Sequence, residues 1–174
     1  FITGRNKRAI EDHFDVNIEL DFALRAAGKV AQANEVKNII PPHVSCVFVR
    51  QPFQLGLGHA VLCAKPIIEQ DPFAVILADD FIPRDDGNAT LSLSNAYKKS
   101  GLSQLSTMEV NGPEISKYGV VMPGKRKNTV EGLIEKPSLD DAPSNIASIG
   151  RYILNSEIFS ILEGIDPGSG GEIQ

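Results

Sequence analysis

The sequence predicts an α/β domain built on a doubly wound, mixed and mostly parallel sheet, with a β-rich part toward its C-terminus. Three observations carry this. Apolar strands alternate with helical segments between residues 44 and 110, the order that gives strand–helix–strand units and a sheet covered by helices. One of those strands, "FAVILA" (73–78), is apolar at every position, as a strand buried on both faces should be. After residue 111 the helices give way to strand-like runs separated by turns, "YGVVMP", "NTVEGLIEKP" and "IASIGRYIL".

The elements follow in order. "FITG" (1–4) is apolar and β-branched and ends on glycine, which predicts the tail of a buried strand. "RNKRAIEDHF" has helical character without strand alternation. "IELDFALRAAG" continues with strong helix formers and closes on Gly28, a residue suited to the position just past a helix end. "AQANEVKNII" is a third helical piece, stopped by Pro41 and Pro42. Then come "VSCVFVR" as a strand, "GHAVLCAKPIIEQ" as a helix with an internal proline, and "FAVILA" as a strand. "ATLSLSNAYKKSG" reads as the next helix and "QLSTMEV" as the next strand. "SEIFSILEG" is a short closing helix with Ser156 as its N-cap.

At 174 residues the chain is expected to form one domain. An apolar fraction of 42% and a charged fraction of 22% are those of an ordinary globular protein. A net charge of −5 argues against a nucleic-acid partner. The one basic run, "GKRKN" (124–128), reads as a solvated hairpin tip. No apolar stretch has the length of a membrane helix. Cys46 and Cys63 stand apart, without ligand-type partners at metal spacing, and read as small core residues of a cytoplasmic protein. Phe1 falls within a strand and "PGSGGEIQ" reads as a loop about to enter another element, so the sequence is expected to be an internal piece of a longer protein.

In a strand–helix–strand unit the two strands are parallel, so the loop after "VSCVFVR" and the residues after "FAVILA" are expected at one carboxyl edge, where open α/β sheets bind ligands. Gln51 carries an amide suited to a base edge, and Gly56 lets backbone approach a planar ring. The alternative is that Gly56 and Gly58 only make a tight turn into the helix. Asp79 and Asp80 are either a solvated turn or the anchor of a hard divalent metal such as Mg2+. Glu135 and Lys136 are neighbours, and neighbours on a strand point to opposite faces. Both can reach one ligand only at a strand end, where Pro137 breaks the pattern; otherwise they are an exposed, ion-rich strand end. His59 reads as a positional or capping residue rather than a catalyst.

Taken together, "FITGRNKRAIEDHFD", "FVRQPFQLGLGHAVLCA", "PFAVILADD", "YGVVMP", "EKP", "APSNIASIGRYIL" and "PGSGGEIQ" resemble the bacterial UTP–glucose-1-phosphate uridylyltransferases, in order and spacing. The resemblance implies a Rossmann-like nucleotidyltransferase fold and a reaction in which UTP and glucose 1-phosphate give UDP-glucose and pyrophosphate with Mg2+. It implies that Gln51 and Gly56 hold the uracil, that Asp79 binds the metal, and that Gly119 and Glu135 receive glucose hydroxyls. Lys136 would meet the sugar phosphate, and Ser148 and Glu172 would line the same sugar pocket. Residues 1–110 then form a nucleotide-binding part and 111–174 a sugar-phosphate-binding part. Homo-oligomers are expected of such a family. The family's phosphate-holding segment and a further metal-binding aspartate would lie outside residues 1–174, so this piece alone is expected to be inactive. Competing readings are a nucleotidyltransferase using dTTP or another sugar phosphate, and a silent nucleotide-binding regulatory module.

Overall fold

The computed structural model describes residues 1–68, 70–83, 87–168 and 171–173. The chain divides into two compact units, Phe1–Ile67 with Phe159–Gln174, and Ile68–Ile158.

In the first unit β1 (Ile2–Thr3) and β2 (Val49–Arg50) form a parallel pair, Ile2 beside Val49 and Thr3 beside Arg50. Only the last two residues of the expected strand "VSCVFVR" join the ladder, because β1 offers so short a partner. The edge continues by one bond, from Gln51 N–H to the Thr3 carbonyl at 2.8 Å. Between them run α1 (Arg8–Phe14), α2 (Ile18–Ala26) and α3 (Val30–Lys37). Asn17 caps α2 by accepting from the Leu20 N–H at 2.9 Å. The end of α2 is a Schellman turn: Gly28, at φ 75°, donates to Arg25 and Lys29 donates to Leu24. α2 packs on α3, whose Ala33 is fully buried. Phe1, Phe14 and Phe48 cluster with ring centroids 4.8 to 6.5 Å apart, Phe1 stacked on Phe48 and Phe14 tilted against both. α4 (Gly56–Ile68) carries Pro66 in its last turn, where the missing N–H leaves the carbonyl four residues back without that bond. All but the first residue of α6 (Ile158–Glu163) belongs to this unit; Phe159 and Leu162 are buried and Glu163 pairs with Lys65 of α4 at 2.5 Å. Ser156, expected as the cap of α6, instead donates its hydroxyl to the Gln70 carbonyl.

The second unit is organised around β7 (Ile146–Leu154), which pairs antiparallel with β3 (Phe73–Ile76), β4 (Gln104–Glu109) and β5 (Gly119–Pro123). Ile153 is partnered by both Ala74 and Gln104, and Ala147 by both Val120 and Met108. β4 therefore takes one edge of β7, while β3 and β5 share the other. β6 (Val130–Glu135) closes a hairpin with β5, and "GKRKN" is its tip as expected, with Asn128 at φ 57°. α5 (Ala89–Ser100) covers β4 and β7. It is capped by Asn88, whose side chain accepts from Thr90 and Leu91, and it ends at Gly101 with φ 68°. Ile115, Val120 and Ala147 form the core, with Val110, Tyr118 and Ala142 against it.

The fold is α/β, but the described pairings are less parallel than expected. β1–β2 is the one parallel ladder, and every pairing in the five-stranded sheet is antiparallel. β3 and β4 do point the same way, as a crossover through α5 requires. They are not neighbours, because β7 inserts between them with opposite direction. Among the described residues no helix is long and apolar enough to cross a membrane.

Candidate active site

The glycine loop is built at the carboxyl ends of the parallel pair. β1 and β2 deliver Gln51 to the edge, and α4 starts at Gly56. The Gln51 side-chain Nε2 donates to the Gly56 carbonyl at 3.1 Å and lies 3.0 Å from His59 Nδ1. Gly56 needs its missing side chain twice over: its φ is 89°, and a Cβ there would stand 2.6 Å from the Ile173 carbonyl oxygen and 3.0 Å from Glu172 Cβ. A Cβ on Gly58 would meet Ile173 and Leu162 at 2.9 Å. The two glycines thus admit the segment 172–173, which is tied in by Gly58 N–H to Ile173 O at 2.8 Å and Ile173 N–H to Leu55 O at 2.7 Å. The sequence pattern signalled a close approach but not that another strand of backbone makes it. Glu172 accordingly lies beside Gly56.

In the second unit the residues after β3 carry two carboxylates with different roles. Asp80 Oδ2 accepts from the Gly150 N–H at 2.6 Å, and Arg151 Nη2 donates to the Asp80 carbonyl at 3.1 Å. Leu77 N–H donates to the Gly150 carbonyl at 2.9 Å. A side chain on Gly150 would collide with Asp80 Oδ2 and stand 2.7 Å from Leu77 Cβ. Asp80 is therefore a clasp between the end of β3 and β7. Asp79 is exposed and makes no hydrogen bond or ion pair among the described residues. No group of three or more metal-ligating side chains occurs among the described residues. The donor set here fits a hard cation held by one free carboxylate and completed by phosphate oxygens, the usual habit of Mg2+.

Gly119, Glu135 and Lys136 come together. Gly119 opposes Glu135 across the β5–β6 ladder, and a Cβ on Gly119 would sit 3.0 Å from Glu135 Oε2. β6 ends at Glu135, and Lys136 takes φ 46°, a left-handed conformation rare for a side-chain-bearing residue. That twist cancels the strand alternation and brings Lys136 Nζ to 3.4 Å from Glu135 Oε1. The turn is pinned by Lys136 N–H donating to the Tyr118 carbonyl at 3.0 Å. Both side chains are about half exposed or more, so the pair itself adds little stability. Its value is an acceptor and a cation held side by side. Ser148 sits on β7 opposite Thr107, its hydroxyl 3.2 Å from that of Tyr152.

Arg151 and Gly150 carry the Asp80 clasp and were not singled out from sequence. The usable signal was Gly150 itself, a glycine inside a strand run, which marks close approach of other atoms. Burial pushes the Cys63 thiol up, so it stays a neutral thiol near pH 7, in keeping with a packing role.

The first unit thus carries a parallel strand pair ending in a glycine turn, and the second a carboxylate without a partner among the described residues and an adjacent carboxylate–ammonium pair. The sequence model of the nucleotidyl transferase family matches residues 8–172, and the chain belongs to that family. It is 41% identical to a UTP–glucose-1-phosphate uridylyltransferase of Pseudomonas aeruginosa, over 99% of this chain and 63% of that protein. Among solved structures it resembles a UTP-bound UGPase from Acinetobacter baumannii, with a TM-score of 0.87 at 37% identity, covering 99% of this chain and 62% of that one. It also resembles a UDP-glucose pyrophosphorylase complexed with UDP-glucose, with a TM-score of 0.79 at 39% identity, covering 99% of this chain and 64% of that one. The chain thus spans somewhat under two thirds of the length of these relatives.

Proposed function

We propose that the protein carrying this chain transfers the uridylyl group of UTP to glucose 1-phosphate, giving UDP-glucose and pyrophosphate. The observation that supports this reading is the turn at Glu135–Lys136, where a left-handed residue sets a carboxylate beside an ammonium group, chemistry suited to a sugar hydroxyl and a phosphate. The similarity to a UTP–glucose-1-phosphate uridylyltransferase and to UDP-glucose pyrophosphorylases supports it.

In the proposed reaction a phosphate oxygen of glucose 1-phosphate attacks the α-phosphorus of UTP. The bond from that phosphorus to the β-phosphate oxygen breaks, and pyrophosphate leaves in line. Such chemistry is positioning and charge neutralisation, with no protein nucleophile. Gln51 and Gly56 bind the base. Glu135 accepts hydrogen bonds from glucose hydroxyls, and Gly119, having no side chain, leaves room for the sugar next to that carboxylate. Lys136 meets the sugar phosphate and lowers the repulsion between two anionic substrates. Ser148 and Glu172 are assigned to the sugar pocket. Mg2+, when bound, would neutralise charge on the phosphates, and Asp79 would hold it. Asp80, already engaged by Gly150, keeps that part of the chain in place.

The same proposal includes the doubly wound, mostly parallel form of the whole domain and the division of ligand roles between residues 1–110 and 111–174. It also includes assembly of identical subunits and a cytoplasmic site of action. Support for assembly is the pair Ile18 and Phe22, one turn apart on α2 and each 75% exposed. The reading is tested by substrate competition in the full-length protein: UTP with glucose 1-phosphate should outpace dTTP and other hexose phosphates. Faster turnover with dTTP or another sugar phosphate would refute it.

A further inference from the structure

The orientation of the Gln51 amide bears on which base the loop can read. Both hydrogens of Nε2 are used within the protein, one toward the Gly56 carbonyl at 3.1 Å and one toward His59 Nδ1 at 3.0 Å. The reverse orientation would set the amide oxygen against the Gly56 carbonyl oxygen, acceptor against acceptor, whichever tautomer the ring took. The contact also fixes the imidazole: Nδ1 must be the bare nitrogen, with the ring proton on Nε2. Cys63 Sγ is 4.0 Å from the same Nδ1, and its burial-raised thiol stays uncharged near neutral pH.

What remains for a ligand is Gln51 Oε1, which has no partner among the described residues and can only accept. Both acceptors that hold the amide come from the first turn of α4, the Gly56 carbonyl and the ring three residues on. That turn is packed against Ile173 through the buried Gly58, so the fork is held firmly.

We infer that His59 is a positioning residue for base recognition. By taking the second Nε2 hydrogen it leaves Gln51 presenting an acceptor alone, which selects a pyrimidine with a ring N–H donor. Uracil and thymine offer that donor at N3, whereas cytosine offers an acceptor there. The neighbouring base carbonyl then needs a different donor, and the Gly56 N–H, in the first turn where no intrahelical acceptor exists, can serve. The inference rests on the nucleotidyl-transfer reading above and adds to it the element that sets the direction of the amide.

The test is steady-state kinetics with UTP and CTP on the full-length protein, comparing wild type with His59→Asn, His59→Leu and His59→Ala. Asparagine keeps an acceptor oxygen near the position of Nδ1, and the apolar replacements keep none. Wild type should favour UTP by at least about tenfold in kcat/KM, because a site built to accept a hydrogen bond rejects a base that lacks the donor. His59→Asn should keep most of that preference. The apolar variants should lose at least about threefold of it, with the change falling on the KM for UTP, as loss of a binding contact does. A UTP preference that persists in a folded apolar variant overturns the inference and leaves the nucleotidyl-transfer reading standing. So does an equal loss in all three variants accompanied by a fall in Tm, which is what a merely structural histidine would give. Absence of turnover with any pyrimidine triphosphate in wild type overturns both.

Discussion

Replacing Asp79 and Asp80 one at a time separates two adjacent carboxylates whose surroundings differ. Asp79 is exposed and unpaired among the described residues, so Asp79→Asn should leave Tm nearly unchanged. In the full-length protein it should lower kcat by roughly a hundredfold or more, the scale of removing one electrostatic contact from a charged transition state. Asp80 accepts a charge-assisted bond from Gly150 N–H, and Asp80→Ala should cost about 2 kcal/mol of stability, read as a lower Tm or denaturant midpoint. Gln51→Ala should raise the KM for UTP about tenfold, the equivalent of one hydrogen bond of some 1.4 kcal/mol. The residue types at the candidate site were legible in the sequence, since each sits in a short motif with a chemical reason. Their local partners were not. Nothing in "ADD" says that the second carboxylate turns back to a backbone N–H seventy residues away, because that contact is made by tertiary folding.

Among the elements, caps and turns were the most legible, because they are set by neighbours in sequence. Gly28 closes α2 and the basic run forms the β5–β6 tip as the residue pattern implied. Strand pairing was least legible, because a ladder is chosen by a partner far along the chain. β7 is the axis of the five-stranded sheet, yet it begins 37 residues after the end of the β3–α5–β4 crossover that it splits. Two substitutions test these elements by thermal or denaturant unfolding. Asn88→Ala removes the cap that satisfies Thr90 and Leu91 N–H and should cost about 1 kcal/mol. Gly150→Ala drives a methyl group into Asp80 and Leu77 and should cost about 2 kcal/mol, within the usual range for overpacking. Combined with Asp80→Ala it should cost less than the sum of the two, since losing the Asp80 carboxylate removes the tightest of the contacts while those to Leu77 Cβ and Asp80 Cβ stay.

For the whole molecule, the proposed reaction draws on residues from both compact units: Gln51, Gly56, His59 and Glu172 from one, Asp79, Gly119, Glu135, Lys136 and Ser148 from the other. An α/β class was readable from the alternation of elements, and membership of the nucleotidyl transferase family accords with the motifs quoted from the sequence. The division into units was not readable, because α6 returns to the first unit from the far end of the chain. The most direct test of the central claim is product analysis in the full-length protein with UTP, glucose 1-phosphate and Mg2+. The account predicts UDP-glucose and pyrophosphate in equal amounts, with formation abolished or nearly so by Asp79→Asn and by Lys136→Ala. No UDP-glucose from wild-type protein, or undiminished formation in both variants, would contradict it.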